Sequence, residues 1–421
     1  MLVFKFGGAS VKDAKGIINL AALVEKFATE QLLIVVSAMG KTTNALERLT
    51  KAYASGDDGL QVIFDEIKSY HYTIMKDLFE PLHPVFNEVA NTFVEIDWVI
   101  EDEPHDDYDF IYDQIVSVGE LVSTRIVAAY LNQAGITSQW LDVRGYVQTD
   151  NTYREGVVQW DKTCAAITKD IPPLLAKRHV VTQGFLGGTS ENFTTTLGRE
   201  GSDYTASIFA ACLGAESVTT WKDVPGILNA DPKLFEDTVK FDELSYTEAI
   251  EMTYYGASVI HPKTIKPLQN AKIPLLVKSF TQPDEPGTFI HESGQNKFTK
   301  PVIIIKPNQV LLSISARDYS FISEEQLSVI FKMFSECHIK VNVMQTSALS
   351  FTVCFDQHEG RFKKLLKALT ADFKVKYNDG LTLITVRHYS AASLKELTEG
   401  KTILMEQLSR NTIQLVVKYM V

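Results

Sequence analysis

Two short segments near the start of the chain are apolar along almost their whole length, and each has the length of a β-strand. Leu2–Phe6 carries a single charged residue, Lys5, and Leu32–Val36 carries none. Unbroken apolar runs of this kind are typical of parallel strands that helices cover on both faces. Strand-like pieces at Val180–Val181 and Ser217–Thr220 continue the alternation with helical segments. The sequence therefore predicts an α/β sandwich built on a mainly parallel sheet.

Length and charge limit the classes of protein to which the chain can belong. With 421 residues it is long enough for two or three domains. Its formal net charge of −11 argues against a nucleic acid partner, because phosphate backbones need a basic surface. No apolar run reaches the roughly 20 residues of a membrane span, and no leader-like segment precedes the first strand. We therefore expect no membrane association and a cytoplasmic location.

The cysteines are scattered and lack the paired spacing of a metal site or a disulfide framework. We predict that they are buried free thiols in a reducing compartment. The four are Cys164, Cys212, Cys337 and Cys354.

Two parts of the chain depart from the alternating pattern. Residues 59–112 are acidic and helix-periodic, which predicts a helical insertion over the sheet. Pro, Gly, Asp, Ser and Lys cluster between Pro283 and Pro301, which predicts a domain boundary. Beyond it a strand, helix, strand, strand series occurs over 302–372 and again, shortened, over 373–421. We expect two related α+β modules there.

The segment from Lys5 to Val11 joins a strand end, a glycine pair and a predicted helix start. Backbone N–H groups and a helix N-terminus in this place suit a phosphate, and Lys5 would share its charge. A tight turn that merely needs glycine is the structural alternative.

Gly40-Lys41-Thr42 also follows a strand and resembles the end of a phosphate-binding P-loop. That motif requires a glycine five residues before Gly40, where this chain has Val35 inside the strand. We reject the P-loop interpretation.

The segment from Thr194 to Ala206 combines cationic and helix-start features. Two glycines bracket Arg199, and Ser202-Asp203 opens an apolar helix. Arg199 can bind a carboxylate with two parallel hydrogen bonds, and the helix start offers N–H groups. A capped helix beside a surface arginine is an equally good interpretation of this segment alone.

Further along, Lys222 and Lys233 flank a Pro-Gly turn that follows a strand, and either lysine could reach a phosphate. An ordinary turn with solvated lysines explains the spacing as well.

Taken in order, these motifs resemble the aspartate kinases of the amino acid kinase superfamily. The segments that carry the resemblance are KFGGAS, VSVGELVSTR, LDVR, TTTLGREGSDYTA, WKDVPGILNADP, EMTYYGASVIHPKT and PDEPGT. They span residues 1–292, and the tail resembles the paired ACT modules of the same enzymes. The resemblance implies a carbamate kinase-like three-layer α/β sandwich followed by two ferredoxin-like α+β modules.

The resemblance also implies a site. Lys5 and Asp203 would be catalytic. The expected ATP contacts are Lys5, Gly7, Gly8, Ala9, Ser10, Lys222, Asp223, Leu228, Lys233, Ser258 and Val259. The expected aspartate contacts are Thr43, Glu120, Arg199, Gly201 and Ser202. Mg2+ would be held through the ATP phosphates rather than by protein ligands, and an effector, lysine or threonine, would lie near Asp318, Asn342, Thr346 and Ser347. A homodimer or larger assembly through the ACT modules is implied as well.

Several residues depart from the family pattern. Ala9 stands where Thr is usual, Glu200 where Gly is usual, and Leu228 where Tyr is usual. This chain has Ser258 where the family usually has Lys, and Lys222 where the family usually has Thr or Ser. We interpret the two differences together as a positive charge moved from position 258 to position 222. In the tail, Asn342 and Ala348 replace frequent acids, so we expect altered feedback.

The function implied is transfer of the γ-phosphoryl group of ATP to the side-chain carboxylate of L-aspartate, the first step toward lysine, threonine and methionine. A carboxylate with a pKa of about 3.9 is already ionised near neutral pH, so no general base is needed. The alternatives are another superfamily kinase acting on glutamate, acetylglutamate or UMP, and a catalytically silent amino-acid sensor that uses the ACT pair.

Overall fold

A computed structural model describes residues 1–104, 106–257, 260–292, 298, 300–318 and 320–419, without the side chains of 391–393. The chain forms two compact units. The first comprises Met1–Ile227, Lys240–Ile250 and Ser258–Asn296, and the second comprises Leu228–Val239, Glu251–Ala257 and Lys297–Val421. Among the described residues, no helix combines the length and the apolar character needed to cross a membrane.

The first unit is built on a sheet in which eight described strands lie in the order β3-β4-β2-β1-β7-β9-β10-β8. All neighbouring pairs are parallel except β9 with β10. The strands are β1 (Leu2–Phe6), β2 (Leu32–Val36), β3 (Ser138–Leu141), β4 (His179–Gln183), β7 (Ser217–Lys222), β8 (Glu243–Ser245), β9 (Leu275–Ser279) and β10 (Thr288–His291). A separate hairpin pairs β5 (Leu186–Gly188) with β6 (Thr194–Thr196). The predicted mainly parallel sheet is confirmed.

Strand β1 lies between β2 and β7, which explains why its sequence is apolar. Phe4 and Phe6 are buried in the same core as the β2 residues. Lys5 pairs in register with Val35 of β2 and Thr220 of β7. A charged side chain therefore occupies a central strand, where burial must be offset by a partner.

Helices follow the strands in the expected alternation. They are α1 (Ala14–Glu25), α2 (Thr42–Ser55), α3 (Leu60–Leu78), α4 (Val85–Ile100), α5 (Tyr108–Val116), α6 (Val118–Gln133), α7 (Trp160–Leu175), α8 (Gly201–Leu213), α9 (Tyr246–Tyr255) and α10 (Pro262–Ala271). The segment 59–112 holds α3, α4 and the start of α5. Their apolar faces join the core that also contains the β1 and β2 side chains.

The prediction of free thiols is wrong for two of the four cysteines. Cys164 of α7 and Cys212 of α8 form a disulfide, with their Cα atoms 5.0 Å apart. The two helices pack together, and this brings close two residues that lie 48 positions apart in the chain. Cys337 and Cys354 are buried and free, as predicted.

The second unit contains a sheet of six described strands in the order β12-β13-β11-β14-β16-β15. Its elements are β11 (Val302–Ser315), α11 (Glu324–Glu336), β12 (Val341–Thr346), β13 (Phe351–Asp356), α12 (Glu359–Asp372), β14 (Lys374–Arg387), α13 (Ala391–Thr398), β15 (Lys401–Leu408) and β16 (Thr412–Tyr419). Every pairing is antiparallel. The long strands β11 and β14 pair with each other along the sheet, and each contributes to both of its α+β halves. Residues 302–306 of β11 pair with the part of β14 that also pairs with β16, so the bounds 302–372 and 373–421 stay a prediction.

Two earlier segments of the chain belong to this second unit. In Leu228–Val239, the carbonyl of Asn229 accepts a hydrogen bond of 2.7 Å from the N–H of Ile303 on β11. In Glu251–Ala257, Glu251 forms an ion pair of 2.8 Å with Arg387 on β14. These segments are therefore held by the strands of the C-terminal sheet.

Candidate active site

Three charged side chains meet at the carboxyl end of the central strands of the first unit. Asp203, in the first turn of α8, binds Lys5 of β1 through Oδ1 at 2.7 Å. The other oxygen, Oδ2, binds Lys222 at the end of β7 at 3.1 Å. The Asp203 side chain is 2% exposed and that of Lys5 is 9% exposed. Two ammonium groups are thus fixed on one buried carboxylate.

The two lysines keep this carboxylate ionised. Burial alone would raise the pKa of Asp203, but the charges of Lys222 and Lys5 lower it to about 2. Burial would lower the pKa of Lys222, but Asp203 and then Glu200 raise it. Asp203 is therefore ionised at neutral pH, and its buried carboxylate lies between the ammonium groups of two lysines.

The glycine pair after β1 forms a tight turn. A methyl group on Gly8 would lie 2.6 Å from the carbonyl oxygen of Ala38, a backbone atom that cannot move aside cheaply. A methyl group on Gly7 would lie 3.6 Å from the ammonium nitrogen of Lys5. Gly8–Val11 is a single 3₁₀ turn that contains the exposed Ala9 and the buried Ser10. Only glycine fits where the backbone of this turn meets the loop after β2.

The helix that begins at the glycine pair is only the short 3₁₀ helix Gly8–Val11 and not an α-helix. Helix α1 begins at Ala14, because the Asp13 side chain caps it by accepting a hydrogen bond from the Gly16 N–H. The Gly7-Gly8 turn therefore offers backbone N–H groups without the dipole of a full helix behind them.

The start of α8 is packed tightly against the loop after β4. A methyl group on Gly184 would lie 2.3 Å from Cβ of Ser202. A methyl group on Gly201 would lie 2.7 Å from the Phe185 ring. Gly201 and Ser202 are buried, and their packing fixes the direction in which the Asp203 side chain leaves the helix. Both residues were expected in the site and lie beside it.

Glu200 precedes α8 in an unusual conformation. Its φ is +54°, in the left-handed region that a residue with a side chain occupies at a cost of about 1 kcal/mol or more. Its Oε2 atom is buried and, among the described residues, has no hydrogen-bond partner. Burial raises the pKa of Glu200, and the nearby charge of Lys222 opposes that rise.

A second carboxyl group is buried close to Lys5. Glu120, in the first turn of α6, is 3% exposed and accepts a hydrogen bond from the Ala38 backbone N–H. Its Oε2 atom has no hydrogen-bond partner in the described part of the chain. Burial raises the pKa of Glu120 to about 8, against the opposing effects of Ala38 and Lys5. The vacant oxygen suits a ligand that donates hydrogen bonds.

Arg199 is an exposed residue in the loop between β6 and α8. It makes no hydrogen bond or ion pair with any described residue, although its charge lowers the pKa of nearby Glu200. Its guanidinium is available to a ligand. Thr43 is half-buried in the first turn of α2, after the loop that contacts Gly8.

The remaining residues that were expected to contact the nucleotide lie in different parts of the chain. Asp223 is exposed after β7, next to Lys222. Leu228 and Lys233 belong to the second unit. Ser258 and Val259 lie outside the described residues.

The expected effector residues lie in the first module of the second unit. Asp318 accepts hydrogen bonds from the backbone and hydroxyl of Ser320. Asn342 accepts one of 3.1 Å from Lys306 and donates one of 2.9 Å to Gln309. Thr346 and Ser347 are exposed. Asn342 is therefore engaged within the protein.

Sequence patterns missed one buried residue that organises the site. Asp113 of α5 accepts hydrogen bonds from the backbone N–H and the hydroxyl of Thr196, at 2.9 and 2.7 Å, and from the Arg154 N–H at 2.8 Å. It joins α5 to β6, the strand that leads into the Arg199 loop. Burial raises the Asp113 pKa to about 6 although these hydrogen bonds oppose the rise. Nothing in the sequence of α5 around Asp113 indicated this role.

The donor set indicates how a divalent cation would be held. Both oxygens of Asp203 already bind lysines, and the described residues include no group of three or more His, Cys, Asp or Glu that could hold a metal. A hard cation that keeps several waters and binds phosphate oxygens fits this site better than one bound only by protein ligands.

Comparison with known proteins places the chain in a family. The model of the amino acid kinase family matches residues 1–279. Lysine-sensitive aspartokinase 3 of Escherichia coli (strain K12) is 30% identical over 393 residues, covering 92% of this chain and 86% of that protein. Chloroplastic aspartokinase 3 of Arabidopsis thaliana is 30% identical over 429 residues, covering 96% of this chain and 73% of that protein. The crystal structure of E. coli aspartokinase III in complex with aspartate and ADP matches with a TM-score of 0.86 at 28% identity, covering 99% of this chain and 96% of that one. The chain belongs to the amino acid kinase family and, within it, to the aspartokinases.

Proposed function

We propose that this protein is an aspartate kinase, which transfers the γ-phosphoryl group of ATP to the β-carboxylate of L-aspartate and forms 4-phospho-L-aspartate and ADP. The observation that carries the proposal is the pair of ammonium groups, Lys5 and Lys222, fixed on the buried Asp203 beside the start of α8. The E. coli relative was solved with aspartate and ADP, which supports both substrates. The product would enter lysine, threonine and methionine biosynthesis.

The chemistry requires positioning and charge neutralisation. An oxygen of the ionised β-carboxylate forms a bond to the γ-phosphorus, the bond from that phosphorus to the bridging oxygen breaks, and ADP leaves with the electron pair. No proton moves. Lys5 and Lys222 would stabilise negative charge on the transferred group and the leaving oxygen. Bound Mg2+ would neutralise phosphate charge, and Asp203 would keep the two lysines in place.

Two groups would hold the acceptor. Arg199 has an unoccupied guanidinium, which suits a carboxylate. Glu120 has a vacant buried oxygen, which suits an ammonium group. An amino acid with two carboxylates would thus be bound at one carboxylate and at its ammonium group, and the other carboxylate would be free to attack.

An acceptor panel tests the proposal. We expect ADP release, followed with a coupled assay, to depend on L-aspartate and to be at least a hundredfold slower with glutamate, acetylglutamate or UMP. Faster turnover with one of these acceptors would support a different superfamily kinase. Absence of turnover with every acceptor would support the silent sensor.

The buried Glu120 carboxyl predicts a pH dependence. With a pKa of about 8 the group is mostly protonated in the free protein at neutral pH, whereas an ammonium ligand favours the ionised form. Aspartate binding would then release a proton, and KM for aspartate should fall by up to about tenfold per pH unit between pH 6 and 8. The measurement is the aspartate KM across this range. Glu120→Gln should bind aspartate weakly and show no such slope, and a flat wild-type profile would contradict the assignment.

We also propose that the second unit contains two ACT modules, at 302–372 and 373–421, that pair between subunits and respond to lysine or threonine. The E. coli relative is named lysine-sensitive and was solved with lysine and aspartate. In this chain Asn342 already bonds Lys306, so Thr346, Ser347 and Asp318 would make the main effector contacts. Inhibition assays with each amino acid, and the mass in solution, test these points.

A further inference from the structure

Glu200 has no evident structural reason to be a glutamate. Its φ of +54° is one that glycine adopts freely, and its side chain makes no capping hydrogen bond at the start of α8. Its Oε2 atom is buried with no hydrogen-bond partner among the described residues. A strained backbone and an unsatisfied carboxylate oxygen at one residue point to a role in the adjacent site.

The groups that face Glu200 come from three elements. They are Lys222 at the end of β7, Lys5 of β1, Asp203 of α8 and Arg199 in its own loop. Lys222 exerts the largest effect among these charges. In return, Glu200 is second only to Asp203 among the charges that act on Lys222. The ion pair with Asp203 and the negative charge of Glu200 thus both act on the Lys222 ammonium.

The charge count explains why the two residues belong together. Lys5 and Lys222 carry two positive charges, and Asp203 and Glu200 carry two negative charges. Removing the Lys222 charge alone would leave two carboxylates facing one lysine, where a polyphosphate must bind. Removing both charges would restore the balance of one lysine and one carboxylate.

We propose that Glu200 is a positioning residue that acts through Lys222. It keeps this ammonium charged and directed at the nucleotide phosphates, and its presence makes Lys222 indispensable for nucleotide binding. The inference rests on the proposed function only in that the site takes a nucleotide with a phosphate chain. It does not depend on the identity of the acceptor.

A double-mutant cycle on MgADP binding, measured by calorimetry, tests the pair. Lys222→Met retains the buried stem without the charge, and Asp203 keeps Lys5 as its partner. We expect the Kd for MgADP to rise about thirtyfold in Lys222→Met and only about threefold in Glu200→Gly/Lys222→Met. Binding by the double variant as weak as that of Lys222→Met, or weaker, would overturn the proposal.

A second double variant separates charge from backbone strain. Glu200→Gln/Lys222→Met removes the same charge and keeps the side-chain size and the strained φ, so it should recover binding to a similar extent. Recovery with glycine but not with glutamine would mean that relief of strain is responsible, and would overturn the proposal. Thermal unfolding of each variant checks that it is folded, and kcat measured with KM shows whether the change lies mainly in nucleotide binding.

The result is distinguishable from a failure of the proposed function. If MgADP binding follows the expected cycle but aspartate is not phosphorylated, the pairing of Glu200 with Lys222 stands and the acceptor assignment falls. If the wild-type protein does not bind MgADP, both are overturned.

Discussion

Replacing Lys5 with methionine is expected to lower kcat about a thousandfold while the protein stays folded. The ammonium group of Lys5 would otherwise stabilise charge on the transferred phosphoryl group, and methionine offers no charge there. Methionine retains most of the buried stem in β1, and Asp203 keeps Lys222 at 3.1 Å, so the carboxylate is not left without a cation. Steady-state kinetics with ATP and aspartate, together with a thermal melt, measure the two effects.

The matched control for this variant is Lys15→Met. Lys15 is exposed on α1 and has no described ion pair, so its loss should change kcat by less than about twofold. A Lys5→Met enzyme that keeps kcat within threefold of the wild type would refute the role of Lys5 in the chemical step. If Lys5→Met no longer unfolds cooperatively, Lys5→Arg replaces it as the test, because arginine keeps the positive charge but places it elsewhere. We expect kcat to fall in Lys5→Arg as well.

Replacing Arg199 with alanine is expected to raise KM for aspartate about a hundredfold and to change KM for ATP by less than threefold. Arg199 is exposed and has no described partner, so the substitution removes a ligand contact without loss of internal packing. Arg199→Lys should give an intermediate KM, because lysine keeps the charge but not the planar pair of donors. Initial rates at varied aspartate and at varied ATP separate the two constants.

Arg178→Ala provides the control for this second prediction. Arg178 is exposed after α7 and has no described side-chain partner. Its replacement by alanine removes the same side chain and the same charge, so KM for aspartate and KM for ATP should each stay within about twofold of the wild type. Equal increases in the two KM values for Arg199→Ala would show that Arg199 does not contact aspartate specifically.

Elements with strong local patterns were predictable from the sequence. The unbroken apolar runs identified β1 and β2, and the strand, helix, strand, strand series predicted from residue 302 onward corresponds to β11, α11, β12 and β13. The start of α8 after the glycine-rich loop was predictable because Ser202 and Asp203 precede an apolar helical face. The helix start predicted at Gly7-Gly8 is only the short 3₁₀ helix Gly8–Val11, and the α-helix α1 begins at Ala14, after its capping residue Asp13.

Contacts between residues that lie far apart in the sequence were harder to predict. The motifs suggested that Lys5 and Asp203 lie together, but nothing in the spacing indicated that Lys222 shares the same carboxylate. That pairing arises because β1 and β7 are neighbours in the sheet and both end at the start of α8. The bond between Cys164 and Cys212 was missed for the same reason, because it depends on how α7 lies against α8.

The sequence by itself determined the parallel sheet, the doubled C-terminal module and the residue types that make an anion site, because these follow from patterns within one segment. Only the tertiary structure decided which oxygen of Asp203 each lysine binds, that Glu200 sits unsatisfied beside them, and that Glu120 is buried enough to hold a pKa of about 8. The physical reason is that local propensity depends on neighbouring residues. Burial and charge coupling depend on strand order and on helix packing, and these bring together side chains that are far apart in the chain.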